Sequence, residues 1–241
     1  MTQQFYVSPE QLMKDRADFA RKGIARGRSV MVLSCRDGIA LVAENPSPSL
    51  HKIGEIYDRI AFAAVGKYNE FESLRQAGVR YADVRGYSYD RDDVTARGLA
   101  SVYAQSLGTV FTADSKPFEV ELAVAEVGLR QSDDHLYRLT FDGSIADEPD
   151  FVVMGGQTEA LTESLRSDWD AGHDFAGVIR SAVSALEGSA ANGGENGSAS
   201  RRLGPDQLEV AVLERDPESS RGSRRAFRRL SAAEVTEILG K

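Results

Sequence analysis

Cysteine is nearly absent from this chain of 241 residues, with Cys35 the only one. A lone thiol excludes an internal disulfide and fits a reducing compartment. Histidine is almost as scarce. His51, His135 and His173 stand far apart, and no Cys/His spacing matches a zinc site, so neither a metal nor a cofactor is expected. Long apolar runs are missing too: stretches such as Ile60–Val65 and Phe151–Met154 are far too short to cross a bilayer. The opening MTQQFYVSPEQ lacks the basic region, apolar stretch and cleavage site of a secretory signal, which points to a cytoplasmic chain with no membrane partner. Positive charge is in deficit. Lys and Arg number 29 against 37 Asp and Glu, a net charge of −8, which argues against the phosphate neutralisation behind nucleic-acid binding. Two basic clusters, Arg21 to Arg28 and Arg221 to Arg229, read as solvated or interface charges.

Catalytic signals are equally thin. Gly66-Lys67 suggests a phosphate loop, but the motif needs a glycine five positions earlier and residue 61 is alanine. Cys35 sits beside a hairpin signal with no basic partner and reads as a strand-end cysteine. The acid pairs Asp92-Asp93 and Asp133-Asp134 read as helix-entry and loop charges.

What is present supports one large domain. An apolar fraction of 41% can fill a full core. Residues 1–7 carry no periodic pattern. Ser8-Pro9-Glu10-Gln11 then gives a helix start: a serine cap, proline in the first turn, and Gln11 to complete a capping box. Met13, Ala17, Ala20 and Ile24 form its apolar face, and Gly23 and Gly27 are available to stop it. Strands Val30–Leu33 and Ile39–Val42 flank Arg36-Asp37-Gly38, an Asp-Gly hairpin signal, and Ile53–Asp58 and Ile60–Val65 form a second pair. Helices are predicted over 69–84, with Phe71, Leu74 and Tyr81 inward, and over 96–111, with Leu99, Val102, Tyr103, Ser106 and Val110 on one face. Arg85–Asp90 reads as a loop between them. Strands return at Val120–Val124, Leu136–Phe141 and Phe151–Met154, followed by helices over 158–169 and 175–186. Gly188–Gly204, rich in Gly, Ser, Ala and Asn, reads as an inserted disordered loop. Strands Leu208–Leu213 and Arg225–Leu230 and a helix over 232–239 close the chain. Grouped strands and grouped helices favour an α+β fold, a four-layer αββα sandwich of two antiparallel sheets, over a doubly wound sheet.

Several segments resemble the alpha subunits of actinobacterial 20S proteasomes, in the N-terminal nucleophile hydrolase superfamily. They include Phe5–Gln11, Ala20–Arg26, Ala43–Pro46, Glu55–Arg59, Gly66–Glu70, Arg85–Tyr87, Tyr89–Arg91, Val102–Gln105, Lys116–Leu122 and Asp142–Ile145, in order along nearly the whole chain. The resemblance implies a non-catalytic subunit of a heptameric ring, stacked on beta subunits that carry the proteolytic threonines. Its partners would be those beta subunits, neighbouring alpha subunits, and the C-terminal tails of a ring-shaped AAA ATPase activator. Residues 1–8 would form a gate arm on a single domain spanning 9–241, the gate comprising Thr2, Gln3, Gln4, Phe5, Tyr6, Val7, Ser8 and Pro9, with Phe19 also matching a position that stabilises the arm. Lys52 matches the lysine that pairs with the tail carboxylate, Gly27 a pocket-wall glycine, and Asp18 is a weaker pocket candidate. No catalytic residue is expected, since Arg28-Ser29 stands where a processed threonine would be needed. Two alternatives stay open: a peptidase using Thr2, exposed by loss of Met1, and an oligomeric binding protein of the same fold.

Overall fold

The computed structural model describes residues 8–191, 202–216 and 225–240. The chain runs through α1 (Pro9–Ala25), β1 (Val30–Cys35), β2 (Gly38–Glu44), β3 (Ile53–Tyr57), β4 (Ile60–Gly66), α2 (Tyr68–Ser88), α3 (Ala96–Ala113), β5 (Val120–Glu126), β6 (His135–Leu139), β7 (Ile145–Glu148), β8 (Phe151–Met154), α4 (Thr158–Asp168), α5 (Phe175–Ala191), β9 (Leu208–Glu214), β10 (Phe227–Arg229) and α6 (Ala232–Leu239). Its strands form two five-stranded antiparallel sheets, ordered β10-β9-β2-β1-β8 and β3-β4-β5-β6-β7. The grouping of strands seen in the sequence therefore becomes the expected αββα sandwich.

Strand periodicity sorts the core into three slabs. In β1, Val30 and Val32 face the other sheet, while Met31, Leu33 and Cys35 face the helices. In β4, Ala61, Ala63 and Val65 face inward, while Ile60, Phe62 and Ala64 meet α2 and α3. Both faces of these strands are apolar because both are covered, so the alternation that marks a half-exposed strand is weak here. Alanines on the inner faces of β4 and β5 face larger side chains such as Leu41 and Leu213 from the other sheet. Helix α1 stands apart from the two helical layers. Its Ala20 and Ile24 enter the inter-sheet core near β4 and β5, so it covers one open mouth of the sandwich.

Several elements depart from the sequence reading. The Ser8 side chain accepts the Gln11 amide at 3.2 Å, but the Gln11 side chain turns forward to Asp15 at 2.7 Å, so only half of the expected capping box forms. Helix α2 runs on to Ser88 and absorbs the first part of the predicted loop. Gly86 does not break it. A side chain there would collide with the Tyr57 hydroxyl, so the glycine is a packing requirement. The buried stripe of α3 is Leu99, Tyr103 and Leu107, whereas Val102 and Ser106 are exposed. Strand β7 carried no sequence signal because it is an edge strand with mostly exposed side chains. Helix α5 continues to Ala191, past the predicted start of the loop at Gly188, and a short 3-10 turn over Pro205–Gln207 leads into β9. Residues 192–201 of that loop lie outside the described residues.

Two charge assignments change. Asp134 is a buried carboxylate, 2% exposed, that binds Arg215, the Ser34 hydroxyl at 2.7 Å and the Gly128 amide at 2.9 Å. Among the described residues of the second basic cluster, Arg225 pairs with Glu55, Arg228 with Glu214 and Glu234, and Arg229 with Glu209. Both corrections have one cause. Arg225 meets Glu55 across 170 positions and Arg215 meets Asp134 across 81, contacts that form only when the sheets assemble.

Candidate docking site

The mouth covered by α1 is where the matched residues meet. Helix α1 ends at Ala25, and the Gly27 amide bonds back to the Ile24 carbonyl at 2.8 Å. Gly27 has little room: a Cβ there would lie 2.5 Å from Val65 Cγ1 and 3.0 Å from the Ile24 carbonyl. The chain thus turns tightly over β4 and enters β1 through Arg28-Ser29.

Lys52 opens β3 on the facing sheet. Its Nζ donates to the Arg28 carbonyl at 2.8 Å, spanning the mouth from one sheet to the segment entering the other. Burial is the largest influence on this ammonium and pushes its pKa down from 10.5 to about 8, with Arg28 adding to the depression while Glu44 and Glu209 oppose it. Arg28 lies 3.5 Å from Glu44 at the end of β2. The site therefore presents two cations over two carboxylates, one cation being a partly desolvated point charge.

Glu209 lies beneath this arrangement. It occupies the inward phase of β9 with Ala211 and Leu213, yet it is a carboxylate and is 6% exposed. Its oxygens accept from the Asn45 side-chain amide (2.8 Å), the Lys52 amide (2.9 Å) and the Ile53 amide (3.3 Å), and it pairs with Arg229 and with His51 Nδ1. Asn45 also donates to the Leu50 carbonyl at 2.8 Å and accepts from the Ser47 amide at 3.0 Å, closing the proline-containing loop onto itself.

The other expected residues are scattered. Asp18 lies on the solvent side of α1, 3.3 Å from Arg21, and among the described residues no hydrogen bond or ion pair joins it to Lys52. Ser8 caps α1 and Pro9 occupies its first turn. Thr2, Gln3, Gln4, Phe5, Tyr6 and Val7 lie outside the described residues. Phe19 is half exposed beneath the Lys116 ammonium, 5.6 Å from its ring centre. Ser29 is buried, and its nitrogen is an internal peptide nitrogen in a chain continuous with α1. It offers no free amine for an N-terminal nucleophile. Cys35 is fully buried, with its thiol pushed up to about 11 by desolvation, the opposite of an activated nucleophile. Among the described residues no group of three or more His, Cys, Asp or Glu is placed to hold a metal, and no helix is long and apolar enough to cross a membrane.

Sequence reading named Lys52 and Gly27 as pocket candidates and did not name Arg28, Glu44, Asn45 and Glu209 around Lys52. One signal was available: Glu209 falls on an apolar phase of its strand, where a carboxylate needs partners.

A family model described as Proteasome subunit matches residues 24–199. The chain is 73% identical to a protein named Proteasome subunit alpha from Arthrobacter sp. (strain FB24), over all of this chain and 99% of that one. It is 71% identical to a protein of the same name from Renibacterium salmoninarum, over 99% of this chain and 96% of that one. It is 63% identical to another from Kineococcus radiotolerans, over 99% and 98%.

Proposed function

The chain belongs to the proteasome subunit family, among its alpha-type members, and from that premise we propose that it is the non-catalytic ring subunit that gates a proteolytic chamber and docks an activating ATPase. Seven copies form a ring on a beta ring that supplies the threonine nucleophiles, and the particle works in the cytoplasm. Residues 1–8 are the gate arm, rooted by the Ser8 cap, and 9–241 are one domain. Lys52 receives the C-terminal carboxylate of an activator tail, and Gly27 keeps the wall of that pocket low. Asp18 belongs to its outer rim.

The observation that carries this reading is the Lys52 ammonium, held at the sandwich mouth on the Arg28 carbonyl beside the end of α1. A compact, partly desolvated cation at the rim of that mouth suits a terminal carboxylate. Its tether to Arg28 also links the docking charge to the segment leading back through α1 to the arm.

The test uses the chain co-assembled with its beta subunit and reads cleavage of a short fluorogenic peptide. Deleting residues 2–7, which leaves the Ser8 cap intact, raises basal cleavage. Lys52→Ala leaves basal cleavage unchanged and weakens ATPase-coupled degradation. Unchanged basal cleavage in the deletion removes the gate role, and intact coupling in Lys52→Ala moves the carboxylate pocket elsewhere.

A further inference from the structure

We propose that Glu209 is a positioning residue for the docking lysine: by clamping the main-chain amides of Lys52 and Ile53 and the side chain of Asn45, it fixes where the Lys52 ammonium stands and the charge it feels. The inference rests on the docking reading of Lys52 and extends it to a residue on another strand, 157 positions away.

Geometry carries the case. Lys52 lies at the junction of the loop after β2 and the start of β3, where its position depends on how that loop is closed. The loop contains Pro46 and Pro48, neither of which has an amide hydrogen to give. Closure falls instead to Asn45, which holds Leu50 and Ser47 and is itself held by Glu209. Glu209 then grips the next two amides along the chain, those of Lys52 and Ile53. Arg229 ties the same carboxylate to β10 and donates to the Ile53 carbonyl at 2.8 Å. The backbone on both sides of the lysine is thus referred to one buried carboxylate. Losing any one of these donors would leave part of a buried carboxylate without a partner, so the clamp holds as a unit.

The same carboxylate acts on the ammonium through space. The groups facing Lys52 are Glu44 at the end of β2, Glu209 on β9 and Arg28 ahead of β1; those facing Glu209 are Arg229 on β10 and His51 beside Lys52. Glu44 and Glu209 favour the protonated lysine, and Arg28 disfavours it. Glu209 ranks after burial and Glu44 among these influences, so its removal reads out at the ammonium as a partial shift.

The test reads Lys52 directly, with no activator present, so its failure is separate from failure of the docking reading. The co-assembled particle is trace-labelled with acetic anhydride between roughly pH 6 and pH 11.5, spanning the shifted and ordinary lysine values. Mass spectrometry follows acetylation of Lys52 against an exposed lysine of the same chain. In Glu209→Gln, the midpoint of Lys52 labelling falls by about half a pH unit or more, the effect of one lost neighbouring charge. Glu55→Gln, which removes a surface ion pair with Arg225, leaves the midpoint where it is in the wild type. An assembled Glu209→Gln particle with an unshifted midpoint overturns the proposal. Should that variant fail to assemble, Asn45→Ala keeps the carboxylate and removes one arm of the clamp. Amide hydrogen exchange at Lys52 and Ile53 then rises tenfold or more, and unchanged exchange there overturns the proposal equally.

Discussion

The Lys52 ammonium donates to the main-chain carbonyl of Arg28 at 2.8 Å, joining the start of a strand in one sheet to the segment that enters the other. The bond spans the rim of the mouth beside the end of α1, so whatever captures the ammonium competes with that carbonyl. A carboxylate is the stronger acceptor, because a charge-assisted bond is about twice as strong as one to a neutral group. Replacing Lys52 with alanine should therefore weaken activator binding roughly tenfold or more, the scale of a bond to a charged group (about 1.5–3 kcal/mol). Titration of the assembled particle with the activating ATPase, read by light scattering or calorimetry, measures it.

Docking should also depend on pH. With its pKa lowered to about 8, Lys52 keeps its charge below that value and loses it above, well before an ordinary lysine near 10.5 would. Affinity should be flat below about pH 7.5 and fall through pH 8–9, with proton uptake on binding in that upper range. The sign for stability is separate. The unfolded chain holds this proton more tightly than the folded one, so the Lys52 contribution to stability is least below pH 8 and increases as pH rises toward 10.5. Calorimetry in two buffers of different ionisation enthalpy reads the proton uptake, and Lys52→Met abolishes it.

At the opposite end of the sandwich, Asp134 and Arg215 form a nearly buried pair with exposures of 2% and 12%. Arg215 also donates to the carbonyls of Gly128 and Cys35, locking the β1–β2 hairpin to the segment before β6. Asp134→Ala leaves a guanidinium without its counter-charge and should cost roughly 3–5 kcal/mol. Converting both residues to apolar ones of similar volume should recover much of that loss. Urea denaturation of the single and double variants tests both statements.

Gly27→Ala should destabilise by roughly 1–3 kcal/mol, the cost of forcing a methyl into a filled site. The new Cβ meets Val65 and the Ile24 carbonyl, so the turn that carries Arg28 must lift. Loss of activator binding beyond the loss of stability would show that turn height matters to docking. Thermal unfolding and binding measured on the same preparation separate the two.

Cys35 should resist alkylation in the native particle. Its side chain is buried and its thiol is raised to about 11, so little thiolate exists at neutral pH. Iodoacetamide labelling at pH 8 should track global unfolding in denaturant, measured by mass spectrometry alongside circular dichroism. Labelling well ahead of unfolding would reveal a local opening of the β1–β2 hairpin.

The sequence by itself determined the layers and the helix start. The Ser8 cap, the hairpin at Arg36-Asp37, and the grouping of strands and helices depend on neighbours within a few residues, where turn chemistry and periodicity act directly. It also marked Lys52 and Gly27, through the resemblance of the segments around them. Tertiary structure decided what those two residues meet. Glu209 reaches Lys52 from a strand 157 residues away, Arg215 finds Asp134 across 81, and α2 continues through Gly86 because Tyr57 packs against it. None of these pairings has a local signature. A buried charge is satisfied by whichever donors the assembled sheets bring within hydrogen-bond reach, and strand order, not sequence spacing, sets that. The lowered pKa of Lys52 belongs to the same class: the residue type fixes 10.5, and burial at the sandwich mouth, with Arg28 nearby, takes it to about 8.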